Sequence, residues 1–114
     1  MKKTLLTLLL LFTLKSTLVA SSMVLDHYYQ FKDMKQFKDY ITGVGKGIYI
    51  ANHVMGAYKE VKLFCPPDSF DPTQPVVLEL LDNQIKNPGN MDFDGTTSLE
   101  LITTLAYIVK FPCK

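Results

Sequence analysis

FKDMKQFKDYITGVGKGIYIANHVMGAY, residues 31–58, is the stretch on which the fold turns. Phe31, Met34, Phe37, Ile41, Val44, Ile48, Ala51, Met55 and Tyr58 recur there at spacings of three and four. Such spacing draws one apolar stripe along a helix of about seven or eight turns. Gly43, Gly45 and Gly47 interrupt it. Each costs up to ~1 kcal/mol relative to alanine inside a helix, so they imply either close approach of a neighbouring helix or a kink.

Two prolines close this region at Phe64-Cys65-Pro66-Pro67. Proline lacks the helical N–H and pushes the preceding residue to extended geometry. A second helix is expected from Asp71 as N-cap and Pro72 in the first turn, through Val76, Val77, Leu80, Leu81 and Ile85. Asn87-Pro88-Gly89-Asn90 stops it, and Met91 to Gly95 reads as a polar loop carrying Phe93. Thr97-x-x-Glu100 has the form of a capping box. Leu101, Ile102, Leu105, Ala106, Ile108 and Val109 after it make a helix apolar nearly all round, placed centrally; their β-branched content also permits a strand. Residues 23 to 35 allow a further short helix, so the expected fold is all-α, a small bundle of three to four helices.

Toward the N-terminus the grammar changes. Lys2 and Lys3 precede an apolar run from Thr4 to Leu14 broken only by threonines, and Ala20-Ser21-Ser22 supplies small residues. This is the pattern of a cleavable secretory signal over residues 1–22, too short for a comfortable membrane span. Residues 23–114 then form the working domain, outside the cytoplasm and with no membrane segment of its own.

The whole chain carries 12 basic and 11 acidic residues, and every basic one is lysine. Losing Lys2, Lys3 and Lys15 leaves a mildly acidic domain, with no electrostatic footprint for nucleic acid. Without arginine there is no bidentate fork for phosphate or carboxylate, so the partner surface is expected to be apolar or shape-based. A domain this small gains from a staple, and Cys65 and Cys113 are the only cysteines. An oxidising compartment makes a bridge between them the natural reading, worth roughly 4 kcal/mol of loop-closure entropy; a free buried thiol or an intermolecular bridge are the alternatives.

Motifs for chemistry are sparse. Gly43-Val44-Gly45-Lys46-Gly47 evokes a phosphate loop, but Tyr40 and Gly47 stand where that pattern needs glycine and a hydroxyl residue. Asn90-x-Asp92-x-Asp94-Gly95 matches the first half of a calcium loop, yet position twelve is Leu101 and Glu100 falls one residue early. His27 and His53 have no metal-ligand partner at the right spacing. No serine elbow or free cysteine nucleophile is present, so neither an enzyme nor a cofactor or metal site assembles from this inventory.

Tyr40-Ile41-x-Gly43-Val44, Cys65-x-Pro67, Asn87-Pro88 and the final Phe111-Pro112-Cys113 together resemble the Rap/Tai-type immunity proteins of type VI secretion, over about residues 37 to 114. The resemblance implies a small periplasmic helical protein, often a homodimer, that binds and inhibits a peptidoglycan amidase toxin. Inhibition is expected to work by occlusion. The loop from Asn87 to Thr96 would reach the toxin, with Phe93 as apolar anchor and Asp92 and Asp94 as polar contacts. A small disulfide-linked helical chaperone or stress protein of the periplasm is the competing reading.

Overall fold

The computed structural model describes residues 22–114; the expected leader up to residue 21 lies outside the described residues. Four helices follow in order: α1 (Leu25–Phe31), α2 (Lys35–Lys59), α3 (Gln74–Lys86) and α4 (Leu99–Lys110). The β alternative for the last segment does not occur. Among the described residues, extended pairing is limited to one isolated antiparallel bridge between Val24 and Ser98.

The helix expected over 31–58 is interrupted between Phe31 and Lys35, so the apolar stripe begins on α1 and resumes on α2 after Met34. Within α2 that stripe is buried only at first, through Phe37 and Ile41. Past Ile41 the core-facing line runs through Gly45 and Asn52, while Met55 is 38% and Tyr58 82% exposed. Length explains the divergence. At 25 residues α2 spans ~37 Å, against ~20 Å and ~18 Å for α3 and α4, so its C-terminal half extends past the helices that would cover it.

At Gly45 α2 and α3 approach closely: a Cβ there would lie 2.4 Å from Val77 Cγ1. Close packing is therefore the reason for that glycine, and the helix runs through all three without interruption. α4 packs against both α2 and α3, but α2 and α3 also pack on each other, so the last helix is not the central one that its composition predicts. It is less enclosed than its composition suggests, since Leu101 and Val109 are both more than half exposed. Its buried Thr103 satisfies its hydroxyl by donating to the Leu99 carbonyl at 2.7 Å.

The two helix starts differ from expectation by one or two residues. Thr73, not Asp71, is the N-cap of α3; Asp71 and Pro72 stay outside, with the Asp71 carbonyl accepting from Thr73 N–H at 2.8 Å. Ser98, not Thr97, caps α4, its hydroxyl accepting from Leu101 N–H at 3.3 Å. Thr97 is already engaged in the preceding loop, where its hydroxyl accepts from Asp94 N–H at 3.0 Å.

The core has two parts. Leu25, Tyr28, Phe37, Ile41, Val77, Leu81, Leu99 and Ile102 fill the end near α1, and Phe64, Leu80, Ala106 and Tyr107 the other. Phe64 stacks on Tyr107 with ring centroids 4.7 Å apart. Tyr107 is fully buried and donates to the Gly45 carbonyl at 2.9 Å; burial pushes its hydroxyl up to about 12. Cys65 and Cys113 form the intramolecular disulfide, with Cα atoms 5.0 Å apart, and Cys65 N–H donates to the Phe111 carbonyl at 2.8 Å beside it. The end of α4 is thereby fixed to the segment that leaves α2.

Candidate functional site

The loop joining α3 to α4 is held by the segment that leads into α1. Leu25 N–H donates to the Thr97 carbonyl at 2.9 Å, Asp26 N–H to the Gly95 carbonyl at 3.1 Å, and Leu99 N–H to the Met23 carbonyl at 3.0 Å. A Cβ at Gly95 would sit 2.5 Å from the carboxylate of Asp26, an exposed side chain that would have to turn aside to admit it. His27 secures the other side of this contact. As the third residue of α1 it accepts from Val24 N–H at its Nδ1, 3.0 Å away, which gives that lone histidine a capping role.

Within the loop the three expected contact residues are placed differently. Phe93 is partly buried and packs on the core cluster around Leu25 and Leu99, so only its outer part is exposed. Asp92 is exposed. Asp94 is also exposed, but its Oδ1 accepts from the Thr96 hydroxyl at 2.6 Å and from Thr96 N–H at 2.8 Å. Those bonds hold its carboxyl below the usual range, the Thr96 hydroxyl contributing most. The loop is thus an internally braced acidic knob: Phe93 anchors it inward, Asp94 fixes its shape and Asp92 points outward charge.

Glu100, one residue early for a calcium loop, is occupied elsewhere. Its carboxylate accepts from the Tyr40 hydroxyl and from the Ser98 hydroxyl, the latter at 2.7 Å. Burial alone would raise its pKa, and the hydrogen bonds from Tyr40 and Ser98 outweigh that and hold it low. Tyr40 is pushed up to about 12 in turn, by this hydrogen bond first and by burial second. Among the described residues no three His, Cys, Asp or Glu side chains gather as a metal would require. Gly43 to Gly47 lie inside α2, which leaves no loop there to wrap a phosphate.

Two buried polar residues carry no obvious signal in the sequence. Asn52, 4% exposed, donates from Nδ2 to the Phe64 carbonyl at 2.9 Å and accepts at Oδ1 from Leu63 N–H at 2.7 Å and Phe64 N–H at 3.3 Å. It ties α2 to the segment that reaches Cys65. Gln84 lies between α3 and α4 in a groove of about 680 Å³ with Phe70, Leu80 and Phe111, and its Nε2 is buried without a hydrogen-bond partner. Apart from that groove, Tyr28 donates to Asp82, which Lys86 also contacts at 2.8 Å. Burial and that carboxylate both raise the Tyr28 hydroxyl, whereas Lys86 and then Tyr28 lower the Asp82 carboxyl.

The other prominent surface is the solvent side of α2. Ile50 is 59% and Val54 48% exposed there, with Val61 just beyond the helix. Among the described residues no helix is long and apolar enough to cross a membrane. No family model, curated protein or solved structure matches the chain.

Proposed function

We propose that the chain is a periplasmic immunity protein, which binds a peptidoglycan amidase toxin delivered by type VI secretion and inhibits it by occluding its active site. The observation that carries this reading is the braced loop between α3 and α4. Three backbone hydrogen bonds to the start of the domain and the Asp94–Thr96 contacts fix it before any partner arrives. A preformed loop loses little conformational entropy on binding, which suits a tight inhibitor. Asp92 and the outer part of Phe93 supply a charge and an apolar edge at its tip. The Phe-Pro-Cys terminus and its disulfide are compatible with an oxidising compartment.

The test is inhibition of the amidase encoded beside this chain's own gene. Purified chain at equimolar ratio is expected to stop peptidoglycan cleavage, and Asp92→Lys to weaken inhibition while leaving the far-UV circular dichroism unchanged. Full cleavage in the presence of excess chain would refute the reading.

A chaperone or stress role is the second reading, favoured by the apolar residues exposed on the solvent side of α2. Such a protein would open on acidification and hold unfolded clients. A monomer–dimer measurement from pH 7 to pH 2 alongside a client-aggregation assay decides it; no opening and no protection would eliminate this role.

A further inference from the structure

Among the described residues, Gln84 is the buried side chain that leaves a polar atom unpaired: it is 4% exposed, and its Nε2 has no hydrogen-bond partner. Burying an N–H without an acceptor is among the costlier defects a fold can carry. Gln84 forms part of the wall of the groove between α3 and α4. The last bond of a glutamine side chain is a soft torsion, so the amide can swing toward an acceptor that arrives there.

The groove has two unlike ends. At the start of α3, Val76 joins Phe70 and Phe111, whose rings meet edge to face with centroids 4.8 Å apart. This end is preformed, because Phe111 is held through its carbonyl by Cys65 N–H beside the disulfide. At the other end of α3 three carboxamides gather on the wall, Asn83, Gln84 and Asn87. Asn87 spends its Nδ2 on the Asn83 carbonyl and keeps its oxygen as an acceptor, while the Asn83 side chain is exposed and makes no hydrogen bond among the described residues.

A carboxamide both donates and accepts, which complements a peptide group. A carboxylate or phosphate would meet amide oxygens it cannot use, and an alkyl chain would leave the Gln84 donor unpaired. Glu79 and Lys110 stand on the two walls with opposite charge, and neither is ion-paired among the described residues. Their balance favours an occupant without net charge. From Val76 to Asn87 the groove runs about 16 Å along α3, the length of about five extended residues. We propose that the groove binds an extended, uncharged segment of a partner protein, with apolar side chains seated on Phe70 and Phe111 and a backbone carbonyl accepting from Gln84 Nε2. The inference stands apart from what the chain inhibits, since the groove is not the loop.

The experiment is titration of the isotope-labelled, disulfide-bonded chain with the capped peptide acetyl-Ser-Leu-Ser-Phe-Ser-amide, followed by magnetic resonance of the Gln84 side-chain amide. Its two apolar side chains point the same way when extended. The Gln84 signals are expected to move and to saturate below about 5 mM peptide, whereas octanoate, apolar but without a peptide group, should bind at least about tenfold more weakly. Gln84→Met should weaken peptide binding about tenfold or more and leave the melting midpoint equal or higher, since it removes a buried unpaired N–H at similar volume. Asn83→Ala, an exposed change, should weaken binding about threefold or more with the midpoint unchanged, which keeps the test open if Gln84→Met does not fold. The proposal is overturned by signals that do not saturate, by preference for octanoate, or by undiminished binding in either folded variant. A midpoint lowered by Gln84→Met also overturns it, because the side chain would then be serving the fold.

Discussion

The inner and outer faces of α2 carry the same residue types under opposite constraints. Gly45 on the inner face lies where Val77 leaves no room for a side chain; Gly43, two residues earlier, faces open solvent. Asn52 is buried and fully engaged on the inner side, while apolar Ile50, two residues before it, is out in water. Hydrophobicity alone would assign these positions the other way round. The difference teaches that contact, and not polarity, decides which face of a long helix is interior when its neighbours are shorter.

Removing Asn52 should test that contrast most severely. Asn52→Ala deletes three hydrogen bonds and strands the buried carbonyl and N–H of Phe64, with an expected loss of about 3 kcal/mol in urea unfolding. Substitution of the exposed neighbour, Val54→Ala, should by comparison change the stability of the dilute chain by no more than about 0.5 kcal/mol. Equal losses at the two positions would abolish the distinction between the faces.

Gly45→Ala comes next. The added methyl meets Val77 Cγ1 at 2.4 Å, and a β-branched side chain in a helix has little freedom to turn away. Overpacking costs about 1–3 kcal/mol, of which the better helix propensity of alanine returns up to ~1. A net loss of about 1–2 kcal/mol is expected by the same urea measurement, and a gain would mean that α2 and α3 are not in the contact described.

How far the sequence could anticipate this arrangement depends on whether a residue's partner lies nearby in the chain. The spacing in residues 31–58 announced a long helix, and the two cysteines announced the staple, because period and pairing are properties of the string itself. Gly45 was legible as close approach, though nothing distinguished it from Gly43 and Gly47. Asn52 was not legible: its partners are backbone groups of Leu63 and Phe64, brought back by a turn whose path has no signature at Asn52. The misplaced caps have a similar cause. Thr97 and Ser98 are equally able to cap, and the choice fell to Ser98 because the Thr97 hydroxyl accepts from Asp94 N–H. In the candidate loop, alternating acidic residues correctly marked a turn, but the packing of Phe93 on the core depends on Leu25, far away in the chain, as well as on nearby Leu99.

The mildest substitution has the opposite sign. Gly43→Ala introduces a methyl that meets no atom within 4 Å, so no overpacking accompanies it. What remains is the backbone term: alanine restricts the unfolded chain and favours the helix. A gain of about 0.5–1 kcal/mol is expected, read as a rise in the urea midpoint with an unchanged slope. One methyl group placed two residues apart on one helix should therefore stabilise at Gly43 and destabilise at Gly45. If both substitutions moved the midpoint in the same direction, helix propensity and not neighbouring packing would govern α2, and the division of its surface into a covered and a vacant face would fail.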